Sequence, residues 1–209
     1  GRIVSVAENF RRDPSARLVH HLLQEGAIGR PYMATFHSLA PHHDVFITPW
    51  RHLKDRGGLL LDLGVHFTDM IRYQLGDIKE VYGAVELATP VRKKPRALNS
   101  PYKFYQARFG EMEDEIQATA EDTSVAMLRM ENGMVVSWVV GLGGYGSCGG
   151  EQIFGSEGLI QGFGTRGARA QLKRADGTEL DHAALVEGAA GNLLPGAGLY
   201  VMVHGGDVA

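Results

Sequence analysis

Residues 57–70 read Gly-Gly-Leu-Leu-Leu-Asp-Leu-Gly-Val-His-Phe-Thr-Asp-Met. Apolar residues and glycines dominate, yet a carboxylate (Asp62) and an imidazole (His66) stand four positions apart in the middle. The run continues without a breaker to Leu75 and stops at Gly76, which predicts a helix over about 58–75. Positions i and i+4 share a helix face, so Asp62 lies beneath His66, and Asp69 and Tyr73 continue the line. Gly64 costs roughly 1 kcal/mol relative to alanine in a helix interior. A glycine there implies that backbone or ligand approaches closely. Two readings of the pair stand at this point. In one, Asp62 caps an early turn and His66 is a satisfied core histidine. In the other, a carboxylate steadies an imidazole that moves a proton near neutral pH, free histidine titrating at about 6.5.

The neighbouring segments supply the rest of a fold. Ile3-Val4-Ser5-Val6-Ala7 is β-branched and reads as a short strand starting almost at residue 1. Asp13-Pro14 gives an N-cap and a first-turn proline for a helix with Ala16, Val19, Leu22 and Leu23 on one stripe, ending at Gly26. Its adjacent His20 and His21 point in different directions, as on a solvated face. Residues 31–40 are a second strand, followed by an irregular aromatic loop through Trp50 and Arg51.

Beyond Gly76 the period changes from helical to alternating. Residues 78–87 place Val81, Gly83 and Val85 on one face. Residues 90–120 read as a long polar connection, functional loop or disordered, basic at first and then acidic. Glu131-Asn132-Gly133 turns a hairpin between two apolar strands. Two more hairpins turn at Ser156-Glu157 and at Ala175-Asp176-Gly177. Helices early and hairpins late predict one α+β domain across residues 1–209. It has a large, mainly antiparallel sheet with helices on one face, and its tail from about 185 shows no period.

Composition narrows the partners. A net charge of −3 gives no reason to expect nucleic acid or an anionic membrane. No apolar run approaches the ~20 residues of a bilayer span. The one cysteine, Cys148, excludes an internal disulfide and fits a reducing compartment, so the expectation is a cytoplasmic protein.

Two motifs could mislead. Gly141, Gly143 and Gly146 satisfy G-x-G-x-x-G after an apolar strand, but another strand-like run follows where a phosphate-binding helix would have to begin. An inter-strand loop is the better account, and no cofactor-binding residue is assigned in this chain. His42-His43-Asp44, with His37 nearby, suggests a metal, but neither CxxC nor HExxH occurs. No metal is assigned; histidines lining a polar pocket are the expectation.

The quoted stretch resembles the GG-x-L-x-D-x-G-x-H-x-x-D motif of the Gfo/Idh/MocA oxidoreductases, the glucose–fructose oxidoreductase and inositol dehydrogenase family. The resemblance extends in collinear order over about residues 3–163: Ala7–Pro14 (AENFRRDP), residues 25–36, Trp50-Arg51, residues 121–133 and residues 153–160. It implies a two-domain enzyme using NAD(H) or NADP(H) on sugars, inositols and related polyols. The nucleotide would sit on a Rossmann domain, and the α+β domain would supply the substrate pocket and oligomer interface. By the same resemblance His66 is the general acid/base and Asp62 orients it. Asn9 and Arg11 lie near nicotinamide and substrate, and Trp50 and Arg51 border the pocket; His37 is added as a substrate-binding candidate from the histidine group.

The departures are as informative. The chain has no Rossmann domain and no Glu-Lys-Pro segment, whose lysine works with the histidine in the family, so it looks like a domain excised from a longer parent. NAD or NADP is expected in that parent and none on this chain alone. Two alternatives remain open: an NAD-assisted glycosidase of the same fold, and a non-enzymatic dimerisation or sugar-binding module. The strand over 135–140 sets Val135, Ser137 and Val139 on one side and Val136, Trp138 and Val140 on the other. Neither side is polar, which predicts a homo-dimer or tetramer through the uncovered sheet face.

Overall fold

A computed structural model describes residues 2–4, 6–98, 100–164 and 167–189. Asp13 starts the first helix, α1 (Pro14–Gln24), its Oδ1 accepting from the Ser15 amide at 3.0 Å with Pro14 in the first turn. Gly26 and Gly29, both at φ +68°, turn the chain into β1 (Pro31–Ala40). Two short 3₁₀ turns, Pro49–His52 and Lys54–Arg56, lead to α2 (Gly58–Leu75). Then follow β2 (Ile78–Glu86), β3 (Val91–Lys93), α3 (Lys103–Gly110), β4 (Glu115–Gln117) and β5 (Thr123–Met130). The rest is β6 (Val135–Leu142), β7 (Cys148–Gly155), β8 (Gly158–Gln161), β9 (Gln171–Arg174), β10 (Glu179–Leu180) and α4 (His182–Ala189).

Eight strands form one sheet in the order β10-β9-β8-β7-β1-β6-β5-β2. Only β1 and β6 run parallel; every other neighbouring pair is antiparallel. The α+β reading with a mainly antiparallel sheet is therefore correct. Alternation sends Ala34, Phe36, Leu128, Val136, Ile153 and Ile160 to one face. There they form a continuous core with Leu18 and Val19 of α1 and Phe67, Met70 and Ile71 of α2. The helices cover that face, so the opposite one stays open. Across it, the register aligns Thr35, Ser137, Met127 and Tyr82 in one row and His37, Val139, Val125 and Ala84 in the next.

Several expectations need correction. Residues 3, 4, 6 and 7 have no regular structure, with Ile3, Val4 and Val6 exposed. β-branched composition gives a strand propensity, but a strand also needs a ladder partner, and none pairs here. Residues 90–120 are not one irregular connection, because β3 and β4 pair as a separate two-stranded sheet carrying α3. Strands of three residues are too short to show a period, and α3 buries no residue. His20 does not sit on a solvated face: its ring stacks on Tyr73 at 4.3 Å. α4 ends at Ala189, within the stretch that showed no period; the remaining residues, 190–209, lie outside the described residues.

Candidate functional site

Helix α2 turns Leu59, Gly64, Phe67, Met70, Ile71 and Leu75 into the core. Gly64 is there because a Cβ would stand 3.3 Å from the Trp138 ring of β6, so the close approach implied by the sequence comes from a side chain of the sheet. Asp62, His66, Asp69 and Tyr73 form a stripe beside this face, and distant segments supply their partners.

Asp62 Oδ2 accepts from Arg51 Nε at 2.8 Å. Arg51 is buried, donates from Nη1 to Thr48 Oγ1 at 2.5 Å, and lies over the Trp50 ring, 4.5 Å from its centroid. His66 Nδ1 bonds both oxygens of Glu8, at 2.8 and 2.9 Å. The Phe10 ring stacks on the imidazole at 4.4 Å, with 8° between the planes. Arg11 forms a two-point ion pair with Asp69 and lies 5.6 Å from the Tyr73 ring centroid. Its hydrogen bond to Asp69 holds the guanidinium pKa above its ordinary value.

The role expected for Asp62 must therefore be corrected. It does not hold the His66 ring, because the buried Arg51 guanidinium takes its carboxylate and Glu8 occupies Nδ1. His66 Nε2 has no hydrogen-bond partner among the described residues, and the His66 side chain is 27% exposed. Asn9 is exposed beside Glu8 and makes no side-chain cap bond. Arg11, Trp50 and Arg51 do gather around α2. His37 does not: it sits on the open sheet face, bonded to Ser137 Oγ at 3.0 Å, with the sheet between it and His66. Strand parity decides this, since His37 alternates with the core residue Phe36.

Glu8 is the residue that the sequence did not single out. It lies 58 positions from His66, with no periodicity linking the two. The only signal was its position within AENFRRDP.

His42, His43 and the buried Arg92 have structural partners. His42 Nδ1 bonds the Asp44 carbonyl at 3.1 Å, and His43 packs against Tyr145. No group of three or more potential metal ligands occurs among the described residues. Arg92 is fully buried and paired with Asp122 at 2.7 Å. Its guanidinium also donates to the carbonyls of His42 and Leu142, at 2.6 and 2.5 Å. His52, buried beside it, accepts the Phe46 amide at Nε2, 2.8 Å away. Burial first, then the neighbouring Arg92 and His42 charges, push its pKa down to about 4.

The glycine-rich run fits this hub and not a nucleotide. A Cβ on Gly141 would stand 2.9 Å from the Asp122 carbonyl, and one on Gly143 would stand 3.2 Å from both Asp122 carboxylate oxygens. β7 begins at Cys148, so no helix N-terminus faces a pyrophosphate here. A shallow depression lined by Val81, Tyr82, Met127 and Val135 lies at the β2–β6 part of the sheet, away from His66.

A mixed eight-stranded sheet, helices on one face and an Asp-x-Gly-x-His stripe along the longest helix define an α+β domain of the oxidoreductase type. The family described as the GFO/IDH/MocA C-terminal domain matches residues 16–161, and the chain belongs to it. An uncharacterized oxidoreductase, YrbE, from Bacillus subtilis is 28% identical over 171 residues, 81% of this chain and 40% of that protein. Levoglucosan dehydrogenase from Pseudarthrobacter phenanthrenivorans is 30% identical over 139 residues, 63% of this chain and 34% of that protein. A solved levoglucosan dehydrogenase in complex with NADH and L-sorbose superposes with a TM-score of 0.65 at 25% identity, covering 86% of this chain and 46% of that one. The chain thus spans less than half the length of these relatives.

Proposed function

We propose that this chain is the substrate-binding and catalytic domain of an NAD(P)-dependent oxidoreductase acting on a sugar or related polyol, with His66 as general acid/base. The observation that carries the reading is the His66 ring itself. One nitrogen is anchored, one face is stacked on Phe10, and Nε2 has no partner among the described residues at a half-buried position. A satisfied core histidine would have both nitrogens engaged or its ring enclosed. Matching dehydrogenases named for levoglucosan and apiose support the substrate class.

The chain spans less than half of the relative solved with NADH, and the nucleotide's phosphates are assigned to the part of such a protein that it does not span. The nicotinamide, when bound, supplies the hydride chemistry. What this domain supplies is the proton. His66 Nε2 takes it from the reacting hydroxyl in oxidation and returns it in reduction. Arg51, held by Asp62 and Thr48, fixes one wall of the site with Trp50 stacked on it. Exposed Leu61 and Val65 border the same helix face. The test is cofactor reduction by the full-length protein with a panel of free sugars and polyols. Turnover with at least one of them, abolished in His66→Ala, is expected; turnover only with glycosides would replace the reaction class.

A second copy of the chain is proposed to cover the open sheet face. Tyr82 is 79% and Met127 58% exposed in one cross-strand pair, with Val125 and Val135 exposed alongside. Sedimentation at micromolar concentration should show at least a dimer, reduced to monomer by Met127→Glu. A monomeric wild type contradicts this.

A further inference from the structure

Asp62 is one helical turn from His66, yet the geometry points to a different carboxylate as the one that controls the ring. We propose that Glu8 is the positioning residue of His66, fixing the tautomer in which Nε2 carries the free lone pair. This rests on the reading of His66 as the acid/base and adds which residue sets its working form.

A carboxylate can only accept hydrogen bonds, so Nδ1, at 2.8 and 2.9 Å from the two Glu8 oxygens, must be the nitrogen that carries the proton. In the neutral ring Nε2 is then the bare nitrogen and the base. A free imidazole in water favours the opposite tautomer, so a ring without Glu8 would present an N–H where a lone pair is needed.

Glu8 is itself held. Its Oε1 also accepts the Phe10 amide at 2.9 Å, at the start of a 3₁₀ turn, Phe10–Arg12, whose Phe10 ring lies on the imidazole. Arg11, one residue further, locks the same turn to α2 through Asp69. Three anchors within residues 8–11 therefore set the carboxylate against Nδ1. When Nε2 takes up the hydroxyl proton, the ring becomes an imidazolium with Glu8 in contact, and the charge is met at once. Asp62 does not do this from its observed position, because its Oδ2 is bonded to Arg51 and Glu8 already holds Nδ1.

The test uses the intact protein labelled with ¹⁵N-histidine and compares wild type, Glu8→Gln and Glu8→Ala. Long-range ¹⁵N–¹H spectra above the titration range should show His66 as the Nδ1–H tautomer in wild type. Glu8→Gln should keep it, because the amide oxygen can still accept. Glu8→Ala should move it to Nε2–H. In parallel, Glu8→Ala should lower kcat about 10- to 100-fold, a part of the general acid–base contribution, with KM nearly unchanged. Glu8→Gln should recover most of that loss. A wild-type Nε2–H tautomer, or one unmoved in Glu8→Ala, overturns the role of Glu8 even if His66→Ala is inactive. Normal turnover in His66→Ala overturns the acid/base reading whatever the spectra show.

Discussion

Two acid–base pairs in this molecule differ in what surrounds them. Arg92 and Asp122 have side chains 0% and 1% exposed, while those of His66 and Glu8 are 27% and 13% exposed. Asp122 accepts from the amides of Ala88 and Thr89, the Thr123 hydroxyl and Arg92, tying three segments to the sheet edge. Among the described residues the Glu8–His66 pair leaves Nε2 unengaged, and its carboxylate comes from just before a short turn outside the sheet. A buried pair with nearly all its valences filled holds a fold together. A half-open pair with one ring nitrogen unengaged among the described residues leaves a group that a ligand can reach.

The largest expected effect on the fold falls at the buried pair. Asp122→Ala strands the Arg92 guanidinium in the interior and should cost about 3–5 kcal/mol in urea unfolding. A loss below about 1 kcal/mol would mean that the hub carries little of the fold and would dissolve the contrast. Next is Gly141→Ala, whose Cβ meets the Asp122 carbonyl and the Leu39 side chain, both at 2.9 Å. Overpacking there should cost about 1–3 kcal/mol and leave nucleotide affinity of the full-length protein unchanged. An unchanged stability with lost NAD(P) affinity would revive the dinucleotide reading of the glycine run.

A graded effect should come from His52. Its folded pKa of about 4 lies below the ordinary 6.5, so between these values the unfolded chain binds more protons than the folded one. The His52 contribution is whole above about pH 6.5 and is lost as pH falls toward 4. His52→Gln keeps an acceptor for the Phe46 amide without titrating, so its stability should fall less steeply over that window. Equal slopes would show that the ring titrates freely in the fold.

The same contrast explains what the sequence made legible. Alternation marked β2, and the Asn132-Gly133 turn bounded β5 and β6, because period two and a positive-φ turn are both local signals. The glycines at 57 and 76 bounded α2, and the spacing of residues 62, 66, 69 and 73 put the polar stripe on one face. What could not be read were partners from distant segments. Glu8 meets His66 across 58 positions, and Asp62 turns to Arg51, 11 positions back, where helical spacing pointed to His66. His37 was misplaced because adjacency to other histidines outweighed strand parity. β3 and β4 were hidden because strands of three residues are too short to show a period.

The central claim is that His66 serves chemistry and not packing, and one paired measurement addresses it most directly: kcat and thermal midpoint of His66→Ala in the full-length protein. Removing a general acid/base should lower kcat about 10²–10⁴-fold. The midpoint should stay within about 2–4 °C of wild type, the shift that ~1 kcal/mol produces in a unit of about 150–250 residues. A midpoint that falls well beyond that, with near-normal turnover in the fraction that remains folded, would make His66 a structural residue and contradict the account.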